Sequence, residues 1–163
     1  MINIIPFSRS HIMSFYYSFY SIVNEGIYYI NTETPKLDLV QKWCERNLSQ
    51  NLLHLVVMER NTLIGSCDIY SRQFEGAPHI GVMAVFVIKE HRGRGIASNL
   101  ISAILTRAKT RGIEKLELEV LASNEGAINC YEKFGFVHEG TRKNAKKMQD
   151  GSYSDVILMA KFL

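Results

Sequence analysis

Cysteine, proline, long apolar runs and charge of one sign are all scarce in this chain, and each scarcity removes a class of protein. Three cysteines occur among 163 residues, Cys44, Cys67 and Cys130, far apart and with no CxxC pair. That spacing speaks against a disulfide framework or a zinc knuckle, gives no metal-ligand set, and suits a reducing compartment. No apolar stretch approaches the ~18 residues that span a bilayer, and the opening MINIIPFSRS lacks a basic region followed by an apolar run. A cytoplasmic protein with no membrane partner is the expectation. Nineteen Lys and Arg face sixteen Asp and Glu, a formal charge of only +3, so the chain is not a polycation built to coat nucleic acid. Any anion specificity must be local. Low-complexity segments, long linkers and solenoid repeats are also missing. What remains, at 47% hydrophobic and 21% charged residues, reads as one globular domain over residues 1–163.

Periodicity supplies a coarse order of elements. Ile2 to Phe7 reads as a short strand, and Ser8 or Ser10 caps a helix through about Asn24 that is rich in Tyr and Phe. Thr34-Pro35 marks a second helix start, running to about Ser49, because proline's missing N–H costs nothing in the first turn. Leu52 to Glu59 and Leu63 to Tyr70 form a hairpin around Arg60-Asn61-Thr62, and His79 to Ile88 is a buried strand. A helix from about Gly95 to Arg111, a strand from Lys115 to Leu121 and a short helix from Glu125 to Phe134 follow. Phe136 to Lys147 and Tyr153 to Phe162 are joined at Asp150-Gly151, a hairpin turn. The fold class is therefore α/β in the mixed α+β sense: about seven strands in a mixed sheet with helices on both faces.

The most informative segment is Val85-Phe86-Val87-Ile88-Lys89-Glu90-His91-Arg92-Gly93-Arg94-Gly95-Ile96-Ala97. A strand runs into a glycine-containing turn and then a helix, so backbone N–H groups can converge at the positive end of a helix dipole. Gly93 and Gly95 remove Cβ atoms from that approach, and Arg92 and Arg94 add positive charge. A phosphate cradle and a plain turn with solvated arginines both fit this stretch. Neither a Walker A lysine pattern nor a full GxGxxG is present, which points away from nucleoside triphosphates and NAD.

The run Arg92-Gly93-Arg94-Gly95-Ile96-Ala97 resembles the R/Q-x-x-G-x-G/A signature of the GCN5-related N-acetyltransferases (GNAT). Downstream, Asn124-Glu125-Gly126-Ala127-Ile128-Asn129-Cys130-Tyr131 followed by Lys133-Phe134-Gly135-Phe136 resembles the family's N-x-x-A-x-x-x-Y and K-x-G-F signature. The two stand in the right order, separated by a helix and a strand, and the resemblance covers essentially the whole chain. It implies the GNAT fold, a mostly antiparallel sheet whose central parallel strands, around Val87 and Leu118, splay apart. It also implies acetyl-CoA as co-substrate, held by the backbone of Phe86 and Val87, by Arg92, Gly93, Arg94, Gly95, Ile96 and Ala97, and by Asn124 and Tyr131, with no metal.

Asn124 and Tyr131 lie seven residues apart, about two helical turns, and so can address one elongated ligand. By resemblance Asn124 bonds the pantetheine arm, and the Tyr131 hydroxyl faces the thioester sulfur as general acid, a role open to a phenol with pKa near ~10. Tyr131 as a core aromatic is the competing reading. Cys130, about 100 degrees around the helix from Tyr131, reads as packing rather than nucleophile.

Direct attack requires a neutral acceptor amine, and hence a proton acceptor. Many relatives place a glutamate on the strand before the phosphate loop, but His79-Ile80-Gly81-Val82-Met83-Ala84-Val85 holds no carboxylate. His79 and Glu119 are the candidate bases, each with a structural alternative: fixing the strand start for His79, the wetter sheet face for Glu119. The acceptor looks most like that of bacterial members acting on free amino acids, peptide or protein N termini, or small amines. The aromatics Phe15, Tyr16, Tyr17, Phe19, Tyr20, Tyr28 and Tyr29 lie where the family's acceptor channel is walled. Some of these rings must fill the core. Two other readings stand beside the enzyme: an acetyl-CoA-binding sensor or scaffold with little turnover, and a nucleic-acid binder using Arg142, Lys143, Lys146 and Lys147, which the low net charge disfavours. A homodimer through an edge strand or the closing hairpin is expected by analogy.

Overall fold

The computed structural model describes residues 3–28, 33, 35–71 and 76–163. Seven strands, β1 (Ile4–Pro6), β2 (His54–Glu59), β3 (Thr62–Ser71), β4 (Ile80–Val87), β5 (Lys115–Leu121), β6 (Val137–Lys147) and β7 (Tyr153–Phe162), form one sheet in the order β1-β2-β3-β4-β5-β7-β6. All neighbours are antiparallel except β4 and β5. The helices are α1 (Ile12–Asn24), α2 (Leu37–Ser49), α3 (Ile96–Thr110) and α4 (Glu125–Lys133).

The parallel pair is short. Ile80, Gly81 and Val82 match Lys115, Leu116 and Glu117, and beyond Val82 the two strands part. Their outer edges stay paired along their lengths, β4 with β3 and β5 with β7. The result is a gap in the middle of the sheet, flanked by backbone that has no strand partner.

Each face of the sheet has its own core. Alternation along β5 sends Leu116, Leu118 and Val120 to the side where Ile96, Leu100, Ile101 and Ile104 of α3 and Tyr131 of α4 pack. The other side is covered by α1 and α2. Ile12, Phe15, Phe19 and Val23 recur at helical spacing and pack with Val40, Cys44 and Val56. Two serines fasten α1 to β3: Ser18 Oγ donates to the Leu63 carbonyl at 2.5 Å, and Ser14 Oγ accepts from the Leu63 N–H at 2.7 Å.

Element ends differ locally from expectation. Ser8 leads into a 3₁₀ turn, Arg9–His11, whose His11 Nδ1 accepts from the Ser8 N–H at 3.0 Å, and α1 begins only at Ile12. Helix α2 begins at Leu37 rather than at Pro35, because Lys36 keeps an extended ψ of 150°. Thr34 and Tyr29 lie outside the described residues. Among the described residues no helix is long and apolar enough to cross a membrane.

Candidate active site

The gap between β4 and β5 is the floor of a cleft of about 750 Å³ that reaches both faces of the sheet. On the α3 and α4 side it is lined by Val85, Val87, Ala97, Ile101, Val120, Asn124, Cys130 and Tyr131, and on the α1 side by Ile22, Tyr28, Tyr70, Val82, Ala84, Phe86 and Glu119. Ladder geometry fixes which backbone groups face it. The Ile88 N–H donates to the Ile64 carbonyl at 3.1 Å, so the even-numbered residues of β4 bond to β3 and the odd-numbered ones point at β5. The His79 carbonyl, which accepts from the Glu114 and Lys115 N–H groups, obeys the same parity at the closed end. Val85 and Val87 therefore turn their amide groups into the gap. Phe86, expected to share that task, turns its own toward Ser66 of β3 and contributes to the cleft wall instead.

At the open end β4 runs through a 3₁₀ turn, Lys89–His91, into Arg92-Gly93-Arg94-Gly95 and the start of α3. Gly93 and Gly95 have φ of +73° and +75°, the left-handed region that costs an L-residue about 1–2 kcal/mol. A Cβ on either would meet no protein atom within 4 Å, so the turn is open to whatever approaches its amides. The first helical bond runs from the Asn99 N–H to the Gly95 carbonyl, leaving the N–H groups of the first turn of α3 outside the helix ladder. That is an anion site by geometry and dipole together.

The arginine side chains do something other than line the cradle. The Arg92 guanidinium donates to both carboxylate oxygens of Glu25 and from Nε to the Val87 carbonyl, with the Tyr28 ring 4.5 Å from its centre. Arg94 reaches His91 Nδ1 at 2.6 Å and Glu59 at 3.4 Å on the outside of the turn. Arg92 lines the cleft, but as a strut between the turn and the end of α1.

Across the gap, α4 presents Asn124 and Tyr131. Asn124 is the N-cap of α4, its Oδ1 accepting from the Ala127 N–H at 3.3 Å. Tyr131 is buried, its ring edge-on to Phe136, and burial pushes its phenol above the ordinary range, so the hydroxyl keeps its proton at neutral pH. Cys130, read from helical angle as packing, borders the cleft and lies 3.6 Å from Ser98 Oγ.

The two candidate bases separate. His79 sits at the closed end of β4, outside the residues that line the cleft. Glu119 lines it, ion-paired with Arg142 at 2.7 Å. The aromatic wall is largely core: Phe15 and Phe19 are buried against Phe86, Tyr17 and Tyr20 face outward, and of that group Tyr28 reaches the cleft. The basic run is also distributed, because a bulge between Arg142 and Lys146 changes which face the strand presents. Lys146 is buried with Nζ on the Gly26 carbonyl at 2.7 Å, and Lys143 pairs with Asp155 at 2.8 Å.

Sequence reasoning passed over two residues. Glu25 holds Arg92, and Asp68 sits 5% exposed in the middle of β3 beside the cleft-lining strand. An acid inside the apolar run Leu63 to Tyr70 was the available signal.

Residues 16–136 match the Acetyltransferase (GNAT) family. The chain belongs to that family. Among relatives, it is 34% identical over 82 residues to N-alpha-acetyltransferase 30 of Schizosaccharomyces pombe, covering 50% of this chain and 55% of that one. It is 38% identical over 72 residues to the ribosomal protein bS18-alanine N-acetyltransferase of Haemophilus ducreyi, 44% of this chain and 50% of that one. The chain thus spans about half the length of these two relatives. To the L-amino acid N-acetyltransferase AaaT of Escherichia coli it is 28% identical over 121 residues, 73% of this chain and 74% of that one. In fold it is similar to the ribosomal-protein-alanine N-acetyltransferase of Brucella melitensis, with TM-score 0.91, 23% identity and 99% of both chains covered. It is likewise similar to yncA, a putative acetyltransferase of Salmonella typhimurium solved with acetyl-CoA, with TM-score 0.92, 19% identity and 100% and 94% covered. Among the described residues no group of three or more His, Cys, Asp or Glu could hold a metal.

Proposed function

We propose that this GNAT chain is an acetyl-CoA-dependent N-acetyltransferase that moves the acetyl group directly to a primary amine within a ternary complex. The acceptor classes are a free amino acid or a peptide or protein N terminus, in keeping with the names of the Escherichia coli and Haemophilus ducreyi relatives, or another small amine. One observation carries the reading: the unpaired edge of β4 beyond Val82 leads straight into the Gly93–Gly95 turn at the start of α3, with Tyr131 across the gap.

The residues divide the work along that line. Amides at the start of α3 hold the pyrophosphate of acetyl-CoA, the Val85 and Val87 backbone pairs with the pantetheine amides in the manner of an added strand, and Asn124 contributes its carboxamide from the opposite wall. Acetyl-CoA supplies an activated thioester. A main-chain N–H on the gap side of β4 stabilises the developing oxyanion, and the Tyr131 hydroxyl donates a proton to the departing sulfur. The acceptor enters from the α1 face, between Tyr28, Tyr70 and Glu119.

Free thiol released from acetyl-CoA, measured against a panel of amino acids, polyamines, aminoglycosides and short peptides, tests this. Release that depends on an amine, with acetylated acceptor found by mass, is the expected result. Tight acetyl-CoA binding with no transfer to any amine would instead make the chain a sensor or scaffold.

A further inference from the structure

We infer that Asp68 of β3 takes up, through water, the proton that the acceptor's ammonium must lose before attack, replacing a carboxylate that β4 does not carry. The inference rests on the acetyl-transfer reading above.

Asp68 stands opposite Ala84 in the β3–β4 ladder. Since Ile64 and Ile88 form a hydrogen-bonded pair, the alternation makes Asp68 and Ala84 another, with side chains on one face of the sheet. It is the acceptor face: Ala84, Val82 and Tyr70, the last two also a register pair, all line the cleft there. Asp68 itself lies just behind the lining, and its neighbour on the cleft-lining strand is the single methyl group of Ala84.

The carboxyl group is poorly provided for by the protein itself. Asp68 is 5% exposed, and its Oδ2 has no hydrogen-bond partner among the described residues. A buried carboxylate oxygen left so is costly unless water reaches it or the group takes a proton. Among the described residues, the titratable groups around it are His54 opposite on β2, Cys44 on α2, and Cys67 and Tyr70 on its own strand. None is a cation at neutral pH, since burial lowers His54 to about 3 and raises both thiols. The residues flanking it on β4, Val82, Ala84 and Phe86, are apolar, and the buried face of α1 carries no titratable side chain. Burial therefore raises the Asp68 carboxyl to about 7, which suits a group that must alternate between proton acceptor and acid near neutrality.

The proton balance is complete. R–NH3+ gives one proton through water to the Asp68 carboxylate, leaving R–NH2 and the carboxylic acid, which later releases it to solvent. The amine lone pair forms the C–N bond as the C–S bond breaks. Tyr131 protonates the sulfur, and the proton leaving the new amide nitrogen restores the phenol.

Asp68→Asn keeps the shape and removes the proton acceptor. With the most active amine from the panel, wild-type kcat/KM should rise with pH through an apparent pKa near 7 and level off. The variant should lose about 10²-fold or more at pH 7, recover as pH nears the pKa of the amine, and bind acetyl-CoA with unchanged calorimetric affinity. A variant with wild-type rate and the same pH limb overturns the role of Asp68 alone. A wild type inactive toward every amine overturns the acetyl-transfer reading and this inference with it. Carbon-13 NMR of the Asp68 carboxyl in the wild-type protein, assigned through the backbone, gives a second check that needs neither variant nor acceptor. A midpoint near 7 is expected; a carboxyl fully ionised at about pH 5, or still protonated at about pH 9, contradicts the proposal.

Discussion

The Arg92 guanidinium is closed off by Glu25: Nη1 and Nη2 donate to the two carboxylate oxygens at 2.8 and 2.5 Å, while Nε holds the Val87 carbonyl at 3.0 Å. One side chain thereby joins the end of α1, the open edge of β4 and the glycine turn. Lys146 reinforces the same corner from β6 by reaching the carbonyl of Gly26.

Arg92→Lys keeps the charge and loses the two-pronged fit, so it should lower the thermal midpoint by a few degrees, corresponding to about 1–2 kcal/mol for a partly buried pair. Glu25→Gln should do much the same, and the double variant should cost less than the two singles summed. Strict additivity in a double-mutant cycle would show that the pair does not act as a unit.

Gly95→Asp should abolish acetyl-CoA binding, by adding bulk and negative charge where amides at the start of α3 converge. Gly95→Ala isolates the backbone effect: at φ +75° it should cost about 1–2 kcal/mol of stability. Calorimetry on folded variants decides; unchanged affinity in Gly95→Asp would move the cofactor's pyrophosphate elsewhere.

Tyr131→Phe keeps the ring against Phe136 and removes the hydroxyl. Under saturating substrates, with product release shown not to limit turnover, kcat should fall by ~10²-fold while acetyl-CoA affinity stays close to wild type. Wild-type kcat across the pH profile would make Tyr131 a packing residue.

Stability should respond to pH through two buried groups of opposite sign. Asp68, raised from 3.8 to about 7, contributes stability that is present below pH 3.8 and lost as pH rises through about 7. His54, lowered from 6.5 to about 3, contributes stability that is present above pH 6.5 and lost as pH falls toward about 3. Between 3.8 and 6.5 the two slopes cancel, so these groups leave the wild type nearly level there. Asp68→Asn unmasks His54: its unfolding free energy should fall by about 1.4 kcal/mol per pH unit on acidification below 6.5. Denaturant melts at a series of pH values check this, and parallel curves for the two proteins would contradict it.

Much of the frame around the cleft is legible in the sequence, and the reasons are local. Glycines at 93 and 95 mark a turn that can be approached closely, Asp150-Gly151 announces a hairpin, and alternation along Lys115 to Leu121 places Leu118 inside. The partner of a charged side chain is not local. Arg92 finds Glu25 across 67 residues, and Lys146 finds Gly26 across 120, so both read as free cations until the chain is folded. The edge that Phe86 faces is not local either, because the parity of a ladder depends on which strand pairs with it, and here Phe86 bonds toward Ser66 of β3. Phe15 and Tyr28, both aromatic and close in sequence, part company because Phe15 packs inward from α1 while Tyr28 lies beyond the helix end.

A single-turnover quench tests direct transfer in the cleft. Protein is mixed with a stoichiometric amount of acetyl-CoA, with and without an active amine, and the masses of protein and acceptor are read. Direct transfer leaves the protein unmodified in both cases and gives acetylated amine only when the amine is present. An acetyl group on the protein, at Cys130 or elsewhere, that later passes to the amine would contradict it.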